Sequence, residues 1–200
     1  MKANIQSNFY DNLQRARDLA QVFLNTQTLN NQSPSLYDDD ILRAAVVFLH
    51  ATLEDLLRGT FKFLIGNKGP LLWKKIPLYG YTDRNQPKGF TFENLESFKD
   101  PKVKELFDKS VDEYLNYNNY NKIQDICIMF QDLDINNRQF KEIFPILEKM
   151  IERRHNIVHR ADRQGTLDEL NFNLTPISYT ELLNWINNLD KFGEILFNSI

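Results

Sequence analysis

Apolar residues recur every three or four positions along most of the chain, and this period predicts amphipathic α-helices. Segments with this spacing are residues 4–25, 41–64, 92–98, 103–115 and 123–133. The capping-box pattern Ser178-Tyr179-Thr180-Glu181 predicts the start of a last helix, which should pack back onto the others. We find no run with the period-two alternation that indicates a half-buried β-strand. The pattern therefore predicts an all-α protein.

Another helix is predicted ahead of the last one. It should begin near Asn137 or Arg138, and Pro145 either kinks it or opens a new helix as a first-turn residue. The sequence Arg163-Gln164-Gly165 predicts where it stops. Its core-facing stripe is predicted to consist of Ile146, Leu147, Met150, Ile151, Ile157 and Val158.

Residues 66–89 break the helical pattern with four glycines and three prolines. A loop of this length without regular structure is uncommon in a compact domain unless it has a function or covers the domain body. We therefore predict one domain over residues 1–200, a helical bundle with a long irregular insertion at 66–122 between the second helix and the later helices.

Composition narrows the possible functions. The formal net charge of −3 gives no global basic field, so any contact with RNA must come from a local patch. The longest strongly apolar run, residues 44–49, is far too short to span a bilayer, and residues 1–6 lack the apolar run of a secretory signal. The single Cys127 excludes an internal disulfide. These features favour a cytoplasmic protein without membrane contact.

Residues 153–160 are the strongest candidate for chemistry, because two of the three histidines and three arginines lie there. Arginine carries a permanent charge in a planar fork that fits phosphate oxygens. Histidine can take and give a proton near neutral pH. Together these side chains can stabilise a pentacoordinate phosphorus and move protons without a metal.

Helical geometry qualifies this interpretation. Arg154 and His159 are five residues apart, which is about 140° around an ideal helix, whereas His155 and His159 share a face. We expect the polar side chains to crowd onto the exposed side of the helix. A purely structural alternative also exists, because cations near a helix C-terminus are favoured by the macrodipole, and it would account for Arg153, Arg154 and Arg160.

A metal site is a poor fit to the same residues. Two histidines at positions i and i+4 resemble half of the H-E-x-x-H zinc motif, but Asn156 stands where that motif has its glutamate. The third histidine, His50, is distant in sequence, and arginines flank the pair. We therefore expect neither a metal nor another cofactor.

The hexapeptide Arg154-His155-Asn156-Ile157-Val158-His159 matches the R-x4-6-H signature of the HEPN superfamily. The longer string at 152–162 resembles the HEPN branch of small standalone prokaryotic proteins that is named for its association with RNA ligases. Residues 43–58 resemble the early helix of that branch. In total the resemblance covers residues 36–65 and 135–198.

This resemblance implies a metal-independent ribonuclease that acts as a homodimer, with both motifs lining one cleft. Arg154 and His159 would be the catalytic pair, and His155 would occupy the variable polar position. The implied role is that of a toxin or phage-defence enzyme with RNA as its substrate and with an antitoxin or defence-system protein as a possible partner. Two alternatives are a non-catalytic HEPN module that dimerises or binds nucleotides or proteins, and a helical adaptor without a ligand.

Two further groups are candidates to support the motif. His50 and Glu54 share a helical face, and Glu54 could orient Arg154 or His159 or could instead satisfy His50 inside the bundle. Trp73-Lys74-Lys75, followed by Tyr79 and Tyr81, could stack a base and hold phosphates, or could anchor the loop onto the domain body.

Overall fold

The computed structural model describes residues 1–30, 36–66, 70–78, 103–164 and 173–200. The regular elements in these ranges are helices, which confirms the predicted all-α fold. They are α1 (Lys2–Asn30), α2 (Leu36–Ile65), α3 (Pro70–Trp73), α4 (Val103–Tyr117), α5 (Ile123–Asp132), a 3-10 turn (Asn137–Phe140), α6 (Phe144–Arg160) and α7 (Tyr179–Ser199). None of the helices described is both long and apolar enough to cross a membrane. The helix predicted at 92–98 lies outside the described residues.

Helix α2 is the centre of the bundle, and it packs against α1, α6 and α7. Its buried apolar side chains recur at helical spacing, and each leucine, valine or phenylalanine among them contributes about 1.5–3 kcal/mol when it is fully removed from water. On α2 these residues are Leu42, Ala45, Val46, Leu49, Leu53, Leu56, Leu57 and Phe61. Helix α7 also packs against α1 and α6. The motif helix α6 therefore packs against both α2 and α7.

An aromatic cluster holds α5 and the turn after it against α7. The ring centroid of Phe140 lies 4.9 Å from that of Phe130 on α5 and 4.8 Å from that of Phe192 on α7. All three side chains are fully buried. Since α5 also packs against α6, this cluster helps to hold α5 beside the motif helix.

The start of α6 decides between the two interpretations of Pro145. Residues 137–140 form only a 3-10 turn, in which the Asn136 side chain accepts a hydrogen bond from the Arg138 N–H. Helix α6 then begins at Phe144, with Pro145 in its first turn. The proline thus opens a new helix, where its missing N–H is not needed.

The end of α6 comes earlier than the predicted stop at residues 163–165. The helix ends at Arg160, and Ala161 and Asp162 adopt left-handed backbone conformations with φ of 48° and 58°. The Asp162 N–H donates to the Asn156 carbonyl at 3.0 Å, a bond typical of helix ends that close in this way. The chain reverses here without a glycine, and the Asp162 side chain is buried against the bundle.

Candidate functional site

The outer face of α6 carries both motif histidines. His155 and His159 are exposed, and their ring centroids lie 4.6 Å apart, as their i, i+4 spacing predicts. Glu148 and Glu152 continue the same face toward the start of the helix, since positions i, i+4, i+7 and i+11 align on an α-helix. One surface stripe therefore combines two carboxylates with two imidazole rings.

Arg154 points away from this stripe. Its side chain is half-buried, and its Nε atom is fully buried without a hydrogen-bond partner among the residues described. The expectation that Arg154 lies on the exposed side was wrong. On an ideal helix it falls within about 20° of the fully buried Leu147, so it belongs to the core-facing stripe.

Arg154 lies close to a buried histidine of α2. His50 is 1% exposed, its Nδ1 is 3.9 Å from the Glu54 carboxylate, and its Nε2 has no hydrogen-bond partner in the described part of the chain. Burial lowers the pKa of His50, and the Arg154 charge lowers it further, while Glu54 and the Tyr120 backbone act in the opposite direction. The sequence-predicted residues His50, Glu54 and Arg154 are thus brought together beneath the motif.

The lowered pKa of His50 has a consequence for stability. Above the unfolded-state pKa of about 6.5, His50 is neutral in both states and contributes no pH dependence. As the pH falls below that value, the unfolded chain binds the proton before the folded chain does, so the free energy of unfolding should decrease until the folded-state pKa is reached. We expect the melting temperature to fall more steeply between pH 7.5 and pH 5.5 in the wild type than in His50→Gln.

Thermal denaturation of both proteins in matched buffers measures this difference in slope. The comparison concerns the pH dependence rather than the absolute melting temperature, because the substitution also alters packing. Equal slopes in the two proteins would show that His50 is not held neutral by its surroundings.

Arg153 is held in a structural cluster. Its guanidinium donates to Asp162 Oδ2 at 2.8 Å, to the Thr175 carbonyl at 2.7 Å and to the Pro176 carbonyl at 3.1 Å. Arg43 on α2 donates to the same Asp162 oxygen at 2.7 Å and to the same Thr175 carbonyl at 3.0 Å. These bonds join the end of α6 to α2 and to the segment before α7. Asp162, which both arginines share, is buried at 1% exposure.

Val158 corrects another expectation. It was predicted to face the core, yet 48% of its surface is exposed. On an ideal helix it lies about 20° from the buried Leu147, so its direction is that of the core-facing stripe. The described helices of one chain cover this stripe near Leu147 and Ile151 but leave it open at Val158.

The Trp73-Lys74-Lys75 cluster is attached to a different part of the bundle. The indole N–H of Trp73 donates to the Ile65 carbonyl at 3.1 Å, and its ring meets Phe107 of α4 edge-on. Lys75 forms an ion pair with Asp132 of α5. Lys74 is exposed. These contacts match the anchoring alternative for Trp73 and Lys75. Tyr79 and Tyr81 lie outside the described residues.

These features define a class of protein. A helical bundle in which an arginine and a histidine five residues apart lie near the end of the next-to-last described helix has the arrangement of a HEPN domain. The family model described as RiboL-PSP-HEPN matches residues 10–200, and the chain belongs to this HEPN family. HEPN domains often dimerise and bind RNA. Comparison with curated proteins and with solved structures gave no significant match.

Proposed function

We propose that this HEPN protein is a metal-independent endoribonuclease of the toxin or phage-defence type, acting in the cytoplasm as a homodimer. One contrast carries the proposal. Arg153 donates through Nη2 to three acceptors of its own chain, whereas Arg154 and His159 make no hydrogen bond or ion pair to any residue that the structure describes. The motif residues therefore keep their bonding capacity for a ligand.

The unpaired guanidinium of Arg154 supports this interpretation in energetic terms, because an unsatisfied buried polar group costs about 1–3 kcal/mol. Arg153 also leaves its buried Nε unpaired, but its Nη2 is bonded to a carboxylate and two carbonyls. No guanidinium nitrogen of Arg154 has a partner in the described part of the chain. A phosphate oxygen is a suitable acceptor for the free guanidinium.

Arg154 and two copies of His159 provide the side chains needed to cleave a phosphodiester without a metal. The 2′-hydroxyl attacks the adjacent phosphorus as one His159 removes its proton, and a second His159 donates a proton to the departing 5′-oxygen. Arg154 stabilises the charge that builds up on the phosphorane oxygens. The products are a 2′,3′-cyclic phosphate and a 5′-hydroxyl.

A two-fold dimer supplies what one chain lacks. The reaction needs both a base and an acid, and each chain contributes one His159. The divergence of Arg154 and His159 around α6 also favours a site to which two chains contribute. The exposed Val158 lies on the same side of α6 as Arg154, where the apolar stripe leaves the cover of its own chain.

The test is incubation of purified protein with single-stranded RNA in excess EDTA. We expect cleavage to persist and to leave 2′,3′-cyclic phosphate ends, since no step uses a metal. Loss of cleavage in EDTA would contradict the mechanism. RNA binding without any cleavage would instead support the non-catalytic HEPN module.

The dimer is tested in the same assay with Val158→Glu. We expect this variant to sediment as a monomer, to cleave poorly and to melt close to the wild type, because Val158 makes little contact within its own chain. Val22→Glu on α1 is the matched control, since Val22 is equally exposed at 46%. A monomeric Val158→Glu protein with full activity would exclude a shared site.

A further inference from the structure

A cavity of about 890 Å³ lies directly beside the motif. It is bounded on one side by residues 119–125, the connection from α4 and the first turn of α5, and on the other by the outer face of α6. His155 forms part of its wall, and the His155 ring is 4.6 Å from the His159 ring. A molecule in the cavity would therefore lie next to the proposed proton-transfer group.

The wall of the cavity combines apolar surface with free polar groups. Ile123 and Ile151 contribute apolar area on opposite sides. The side-chain amides of Asn119 and Asn121 and the carboxylate of Glu152 make no hydrogen bond or ion pair within the ranges that the structure describes. An apolar wall with unsatisfied amides and carboxylates is suited to a flat heterocycle with polar edges.

Charge indicates which part of an RNA could enter. Lys122 is the one basic residue among those lining the cavity apart from His155, against the carboxylates of Asp125, Glu148 and Glu152, which leaves two excess negative charges. The excess negative charge of the cavity wall repels a phosphate but does not oppose an uncharged base. The phosphate belongs instead beside Arg154.

We propose that this cavity holds the base of the nucleotide next to the cleaved phosphate and selects a base with an exocyclic amino group over uracil. The proposal rests on the proposed ribonuclease function. Carboxylates accept hydrogen bonds from such amino groups, and side-chain amides pair with adenine through two bonds. The side-chain amides can pair with any base edge, so the preference depends on Glu152: its carboxylate accepts from an exocyclic amino group, whereas it has no donor for the carbonyl oxygen that uracil presents at the same position.

The experiment measures binding to fluorescein-labelled hexamers of adenylate, cytidylate and uridylate by fluorescence anisotropy. The protein is His159→Ala, which keeps the cavity but should cleave too slowly to degrade the hexamers during the measurement. We expect the adenylate and cytidylate hexamers to bind at least about 5-fold more tightly than the uridylate hexamer, the lower end of what one well-paired base edge contributes.

The double variant His159→Ala/Glu152→Gln should bring this ratio close to one, because glutamine offers a donor to uracil. His159→Ala/Glu142→Gln is the matched control, since Glu142 is an exposed glutamate in the turn before α6 that does not line the cavity. An unchanged ratio in the Glu152 variant, equal binding of all three hexamers, or no binding of any of them would overturn the base pocket.

The possible outcomes distinguish the base pocket from the proposed ribonuclease function. A base preference without cleavage by the wild type would support the pocket and contradict the ribonuclease. Cleavage in EDTA without a base preference would support the ribonuclease and contradict the pocket.

Discussion

Replacement of His159 by alanine is expected to slow RNA cleavage by about 10²–10⁴-fold, the usual contribution of a positioned acid or base. In a dimer one substitution removes both proton-transfer groups from the shared site, so the loss should fall in the upper part of this range. The fold should not be affected, because His159 is exposed, its ring lies against that of His155, and it forms no hydrogen bond or ion pair with the residues that the structure describes.

His155→Ala is the matched control for this change. It removes the same type of side chain from the same face, one helical turn away, but not the residue that the HEPN motif places in catalysis. We expect it to lose far less of the cleavage rate than His159→Ala, and any loss to come from weaker substrate binding at the cavity that His155 lines. Arg154→Ala should lower the rate by about 10²–10³-fold, as removal of a group that stabilises transition-state charge does.

Three measurements are made on each variant. They are the initial rate of cleavage of a labelled RNA, the melting temperature, and the growth of a bacterial host that expresses the protein. Growth arrest by the wild type that is relieved in His159→Ala would connect the cleavage to toxicity. If His155→Ala and His159→Ala lose activity equally, the motif does not assign the catalytic histidine. If His159→Ala melts many degrees lower, its role is structural.

Replacement of Asp162 by alanine is expected to lower the free energy of unfolding by about 3–5 kcal/mol, because it leaves Arg43 and Arg153 without their shared, buried counter-charge. For a domain of this size this corresponds to a fall in melting temperature of roughly 6–20 °C. The left-handed backbone at Asp162 adds to the loss of stability, because aspartate adopts this conformation more readily than alanine does.

Asp190→Ala provides the comparison for an exposed pair. Asp190 forms an ion pair with Arg17 between α7 and α1, and both side chains are partly exposed. Solvent screening limits such a pair to about 0–1 kcal/mol. Urea denaturation of the two variants gives the difference directly. A similar small loss in both would show that the Asp162 cluster is no stronger than a surface contact.

The helices could be predicted because their apolar period depends only on nearby residues. The same holds for the cap at Ser178, whose side chain accepts from the Glu181 N–H as the capping box predicts. The Asp162 cluster could not be predicted, because it joins Arg43 to a residue 119 positions away and so depends on how the helices pack.

The sequence was enough to predict which residues form the candidate site, but not which way their side chains point. The spacing of Arg154 and His159 predicted their divergence, yet not which of them faces the core. The cavity was missed because Asn119 and Asn121 lie in a stretch rich in asparagine that has no motif. The alignment of Glu148, Glu152, His155 and His159 on one face of α6 was present in the sequence and would have pointed to it.

The position of Arg154 also has an evolutionary consequence. It occupies a place on the core-facing stripe of α6 that a leucine or methionine would fill without an unsatisfied nitrogen. Selection for stability alone would therefore favour an apolar residue here, and under the proposed function it is selection for activity that keeps the arginine. If that function is right, relatives that lack RNA cleavage should carry apolar residues at this position more often, while they retain the arginine next to it that binds Asp162.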